Sequence, residues 1–201
     1  AGVSHDLRTP LTRIRLQLAL MRESPDSKAI SNDISEMEEM IDGYIAFAAG
    51  EGDEPPQDTD IELILKRLIT QAYKSHKFNI ILSPVKDEIP AFPMRRNAIQ
   101  RAFSNIISNA IRYSSKTIAN IQKHNDEVII TFDDNGSGIP EERRADAIRP
   151  FIRLEESRNR RTGGTGLGLS ITSDIVLSHG GELTLGESPL GGLRVSIKLP
   201  I

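Results

Sequence analysis

The chain contains no cysteine. Disulfides, thiolate nucleophiles and cysteine-ligated metals are therefore excluded. A basic excess is also missing, with 25 lysine and arginine residues against 28 acidic ones. Binding to phosphate backbones needs a positive footprint, so direct contact with nucleic acid is not expected. No apolar run approaches the roughly 18–20 residues that span a bilayer, and no signal-peptide pattern opens the sequence. What is present is 201 residues with 38% hydrophobic content. That is enough for one large domain or two small ones, each with its own core. The first polar motif begins at Ser4, almost at the first residue, so we expect a segment of a longer chain.

Leu7, Leu11, Ile14, Leu18 and Met21 are spaced 4, 3, 4, 3, a heptad-like apolar stripe. Pro10 sits near the start of this predicted helix, where it removes one backbone bond or introduces a bend. Ser24-Pro25-Asp26-Ser27 reads as a break. Ile30, Ile34, Met37, Ile41, Tyr44 and Ala48 then resume the stripe, and Gly50 with Gly52-Asp53-Glu54-Pro55-Pro56 reads as a linker. Two such helices form an antiparallel hairpin that buries too little alone. Two copies would make a four-helix bundle, so a homodimer is expected. His5, Asp6 and Arg8 lie beside the seam, on a polar face.

The remainder, residues 57–201, reads as an α/β domain. Helices are predicted over 61–73, 95–113 and 167–178. Strands are predicted over 78–82, 127–132, 182–185 and 193–199, the last two joined by a turn at Gly191-Gly192. The elements mix without regular βαβ alternation, which predicts an α/β sandwich with helices on one face of an open sheet. Residues 140–163 carry seven arginines and few apolar residues, and are predicted to be a long loop that covers a polyphosphate.

Gly163-Gly164-Thr165-Gly166-Leu167-Gly168-Leu169 lacks the lysine and Ser/Thr of a P-loop. No strand leads into it, so it does not fit a dinucleotide fingerprint. Glycines that feed a helix start nevertheless leave main-chain N–H groups for phosphate.

Taken together, these segments resemble the sensor histidine kinases of bacterial two-component systems. Residues 4–11 (Ser-His-Asp-Leu-Arg-Thr-Pro-Leu) are similar to the phosphoacceptor motif. Asn105-Ile106-Ile107-Ser108-Asn109 resembles the asparagine box, and Asp134-Asn135-Gly136-Ser137-Gly138 the aspartate-glycine box. Pro150-Phe151-Ile152-Arg153 resembles the phenylalanine box, and residues 164–169 the second glycine box. The resemblance covers essentially the whole chain. It departs at Ile148, where an aromatic is frequent, and at the extra Gly163; both are expected to alter the packing of the loop without abolishing nucleotide binding.

The resemblance implies an α+β protein. A dimerisation and histidine-phosphotransfer hairpin (residues 1–52) dimerises into a four-helix bundle and precedes a Bergerat-type ATP-binding α/β sandwich (residues 57–201). It implies ATP-dependent phosphorylation of His5, then transfer to an aspartate on a response-regulator receiver domain, with phosphatase activity toward that regulator. It further implies the cytoplasmic domain of an inner-membrane sensor, attached to the membrane only through upstream segments.

His5 is then the nucleophile, through the lone pair of a neutral imidazole nitrogen. Asp6 holds the opposite ring N–H, Arg8 steadies the acidic cluster around the phosphoryl group, and Thr9, one turn after His5, positions a water. Asn105 and Asn109 lie i, i+4 on one helix face; Asn109 is the expected Mg2+ ligand. Arg112 and Tyr113 reach phosphate or ribose. Asp134 accepts from the adenine amino group, and Gly136 and Gly138 let the backbone approach the base. Phe151 packs the lid, and Gly164, Thr165, Gly166, Leu167 and Gly168 surround the phosphates. The alternatives are a Bergerat-fold ATPase or serine kinase in which His5 is incidental, and an inactive interaction module.

Overall fold

The computed structural model describes residues 2–20, 27, 30, 31, 34, 37, 54–85, 88–152, 154 and 166–201, with backbone alone over 2–9. Helix α1 (Gly2–Ala19) runs through Pro10 without interruption. Leu11 and Ile34 are buried, whereas Ile14, Ile30 and Met37 of the same heptad pattern remain exposed on the single chain. Ser27 is helical. It therefore belongs to an element rather than to the predicted break; residues 24–26 of that break and the linker up to Asp53 lie outside the described residues.

The C-terminal part is built on an open five-stranded sheet. Its strands are β2 (Asn79–Leu82), β4 (Lys116–His124), β5 (Glu127–Asp134), β6 (Glu182–Glu187) and β7 (Leu193–Pro200), in the order β2-β4-β5-β7-β6. The β2–β4 pair is parallel and the other pairs are antiparallel. A short antiparallel pair stands apart, β1 (Gln57–Thr59) with β3 (Phe92–Met94). Helices α2 (Ile61–His76), α3 (Arg96–Tyr113) and α5 (Gly168–Ser178) supply the other half of the core. On β5, Val128, Ile130 and Phe132 are buried while Ile129 and Thr131 are only half-buried, the period of two that a sheet covered on one face requires. Phe132 meets Phe103 of α3 with ring centroids 5.9 Å apart, a tilted aromatic contact at the heart of the core.

Several elements depart from the sequence expectations, the short strands β1 and β3 among them. Strand β4 lies in the interior of the sheet yet carries Thr117 and Ala119 on its buried face beside Ile121, too little apolar character to stand out. The predicted long loop over 140–163 begins instead with helix α4 (Glu141–Ala147), of which only Ala147 is buried. Its acidic first turn favours a helix start, but with no apolar stripe it has no helical signature. Helix α2 also runs three residues past the predicted Tyr73. Lys74 and His76 sit favourably in its last turn, and Lys77, in the left-handed region, closes it by donating to the Tyr73 carbonyl.

Candidate nucleotide-binding site

A cleft of about 280 Å³ opens between the C-terminal half of α3, the turn after β5, the end of α4, the start of α5 and the first residue of β7. Helix α3 buries Ile99, Ala102, Phe103, Ile106, Ile107 and Ala110, which leaves Asn109, Arg112 and Tyr113 to line the cleft. Asn105, one turn earlier, instead donates through Nδ2 to the Gly168 carbonyl (3.3 Å) and ties α3 to the first residue of α5.

At the floor, Asp134 ends β5, buried at 9% exposure. Its Oδ1 accepts from the main-chain N–H groups of Gly136 (2.8 Å) and Leu193 (3.0 Å). A Cβ at Gly136 would stand 2.5 Å from the Tyr113 carbonyl oxygen, so only glycine lets this turn lie against the end of α3. Asn135 braces the same turn: its Oδ1 accepts from the N–H groups of Ser115 (3.0 Å) and Lys116 (2.9 Å). Behind it, buried Asp133 holds Arg194 through two bonds of 2.7 and 2.9 Å, which raises the Arg194 pKa further above its ordinary value.

At the opposite end, Gly168 and Leu169 of α5 line the cleft, and among the described residues no side chain caps this helix. Its N-terminus offers main-chain donors and a positive dipole end to an anion. A Cβ on Gly168 would be 3.7 Å from both amide atoms of Asn109, so Asn109 faces this helix start. Leu167, in contrast, is buried in the core and anchors α5 from beneath.

Gly166 adopts φ +67° and accepts from the Phe151 N–H at 3.1 Å, so the phenylalanine-containing segment and the glycine-rich segment are joined by backbone. Phe151 itself is 58% exposed; the cleft wall here is made by Ile152 and Leu154 instead, with Ile139, Pro140 and Ala147. Arg143 and Arg149 pair with Asp146, and Arg144 donates to the Ile139 carbonyl. These arginines are thus tied to α4 and its entry, and none of them lines the cleft. Arg153, Arg158, Arg160 and Arg161 lie outside the described residues, as do Gly164 and Thr165. His5, Asp6, Arg8 and Thr9 stand on α1, where only backbone is described.

The sequence reading missed Gly192, Leu193, Ile152 and Leu154. The first two were legible as a hairpin turn but carried no chemical signal. The last two are ordinary aliphatics in an arginine-rich stretch.

An acceptor at one end of an apolar-walled cleft, an asparagine in the middle and a helix start at the other end fit an elongated ligand with a polar heterocycle and an anionic tail. Residues 94–201 match the family described as histidine kinase-, DNA gyrase B- and HSP90-like ATPase, and residues 1–52 match the His Kinase A (phospho-acceptor) domain. The chain belongs to the histidine kinase-, DNA gyrase B- and HSP90-like ATPases and joins that domain to a phospho-acceptor segment. It is 34% identical over 211 residues to the sensor histidine kinase CpxA of Escherichia coli K12, covering 100% of this chain and 46% of CpxA. It thus spans about half the length of the curated relatives it matches. The fold is shared with full-length ShkA crystallised with AMPPNP (TM-score 0.76, 19% identity, 99% of this chain and 44% of that one). It is also similar to the ATP-binding domain of PrrB from Mycobacterium tuberculosis (TM-score 0.58, 27% identity, 74% and 97%).

Proposed function

We propose that this chain is the catalytic core of a two-component sensor kinase. It binds ATP in the cleft, phosphorylates His5 and passes the phosphoryl group to an aspartate on a response-regulator receiver domain, whose phosphoaspartate it also hydrolyses. We divide it into a phosphotransfer hairpin over residues 1–52 and an ATP-binding domain over 57–201. The observation that carries the reading is the pairing, in one chain, of a phospho-acceptor segment with a cleft that has Asp134 at one end and the start of α5 at the other.

Asp134 accepts from the adenine amino group, Arg112 and Tyr113 flank the ribose and phosphates, and the N-terminus of α5 faces the phosphate tail. Mg2+ would be held by the Asn109 amide oxygen and by ATP itself. Among the described residues no group of three His, Cys, Asp or Glu side chains gathers into an all-protein metal cage, which suits an ion that takes few protein ligands and several phosphate oxygens. When bound, the ion supplies charge neutralisation for the transferring phosphoryl group. The neutral His5 ring nitrogen attacks the γ-phosphorus in line, an N–P bond forms, the bond to ADP breaks and the ring sheds its proton. Asp6 orients the ring; Arg8 and Thr9 serve the phosphoryl group and the hydrolytic water. The exposed Ile14, Ile30 and Met37 support a homodimer that completes a four-helix bundle. Attachment to a membrane would come from segments outside this sequence.

The test is incubation with Mg2+ and γ-labelled ATP, followed by acid and base treatment of the labelled protein. Label lost in acid and kept in base is expected, and His5→Gln is expected to abolish it while ATP still binds. Acid-stable label, or label retained in the variant, rejects histidine phosphorylation.

A further inference from the structure

The turn after β5, through the Gly136 N–H, accounts for one side of Asp134. The other side is held by an element remote in sequence, the turn between β6 and β7. We infer that this turn is the specificity device of the cleft: through the Leu193 N–H and the missing side chain of Gly192 it fixes the Asp134 carboxyl group so that only a purine with an amino group at C6 is accepted. The inference rests on reading Asp134 as the base-contacting residue.

The N–H groups of Gly136 and Leu193 both converge on Oδ1 of Asp134. Oδ2 has no hydrogen-bond partner among the described residues. Among the described residues, no fully buried side-chain oxygen or nitrogen lacks one, so Oδ2 reaches the cleft that Asp134 lines. A carboxylate only accepts. Pinning Oδ1 therefore sets the plane of the group and presents a fixed acceptor to the ligand. A 6-amino purine meets it with a donor; a 6-oxo purine meets it with a second acceptor and is rejected.

Gly192 makes the pin possible. A Cβ there would collide with Asp134 Oδ1 and stand 2.5 Å from both the Asp134 carbonyl oxygen and the Gly136 nitrogen. All three are fixed atoms of the β5 turn, so a side chain at 192 must push the two turns apart. The turn itself is stiff. Ser188 N–H donates to the Gly192 carbonyl and Gly191 N–H to the Ser188 carbonyl, each at 2.9 Å, and Leu190 N–H donates to Ser188 Oγ at 3.0 Å. The Asp133–Arg194 pair fixes the β5–β7 register one residue away. Gly192 and Leu193 are thus positioning residues.

In the aspartate the two oxygens are chemically equivalent. In Asp134→Asn they are not: two N–H donors at the Oδ1 position accept only the amide oxygen, so the NH2 is forced to the cleft. The cleft would then present a donor and prefer a 6-oxo purine.

The test is calorimetric titration of the full chain with ATP and with inosine triphosphate, in wild type, Asp134→Asn and Gly192→Ala, with circular dichroism as the folding control. The wild type should favour ATP. Asp134→Asn should invert that preference, moving the ATP-to-inosine ratio by at least roughly tenfold. Gly192→Ala should weaken ATP while bringing the ratio toward one. If Gly192→Ala does not fold, the asparagine variant decides alone. Loss of ATP affinity in Asp134→Asn with the nucleotide preference kept overturns the pin but leaves Asp134 at the base. Unchanged ATP affinity in that variant overturns both.

Discussion

His179 shows how a single side chain ties two helices together. Its Nδ1 lies 2.7 Å from the Ile175 carbonyl and donates to it, while Nε2 accepts from the Arg95 N–H at 3.1 Å. Only the neutral ring can do both. Burial is the main cause that lowers its pKa below 6.5, and the nearby Arg95 charge acts in the same direction, partly offset by the Ile175 bond and Glu54. The unfolded chain therefore binds this proton first as the pH falls. The stability tied to neutral His179 is fully present above about pH 6.5 and declines as pH drops through the lowered folded value. Urea melts between pH 5 and 7.5 should show this slope, and His179→Gln should flatten it; an unaltered slope would show that His179 does not carry the effect. None of this was legible from sequence, because a histidine near a helix end carries no mark of its partners. Asp134 stood out only through the resemblance of residues 134–138 to the aspartate-glycine box, since the residues themselves read as a turn after a strand; the structure does place it in the lining of the cleft. Phe151 was legible as part of a motif but not in its placement, since its exposure follows from a left-handed backbone (φ 63°) that no sequence pattern announces for a phenylalanine.

Elements with a dense apolar face, such as α3 and β7, could be read within a residue or so of their ends. Those whose buried face is small or polar could not. Strand β4 is held by β2 on one side and β5 on the other, and its neighbours rather than its own hydrophobicity make it a strand; tertiary context overrides propensity here. Helix α4 forms over a single buried residue and contributes its end to the cleft wall. Local capping matters more where periodicity is strong but short. Asp60 accepts from the Leu63 N–H at 2.9 Å and starts α2. Asp60→Ala should cost about 1 kcal/mol, read as a lower denaturation midpoint with an unchanged m-value. A change in m would instead mean that the β1–β3 pair beside it had come apart.

At the scale of the whole molecule, the pieces of the ATP-binding domain are held by contacts remote in sequence. Glu54, at the end of the linker, accepts from the Asn97 (2.8 Å) and Ala98 (3.2 Å) N–H groups and so caps α3, the helix that bears Asn105 and Asn109. The sequence showed the linker by its glycines and prolines but not that its last acid reaches a helix more than forty residues on. One of the long-range bonds at the cleft joins Leu193 to Asp134 across 59 residues. Closing a loop of that length costs entropy that only late, cooperative contacts repay. A partly folded chain thus has no fixed Asp134 carboxylate at the cleft. The ligand then becomes a thermodynamic reporter of complete folding, since it binds the finished state alone. At one hundred times its dissociation constant ATP should add about 2.7 kcal/mol to the unfolding free energy. The melting temperature should climb with the logarithm of nucleotide concentration, and a melt indifferent to ATP would mean that the cleft survives unfolding or never holds the nucleotide.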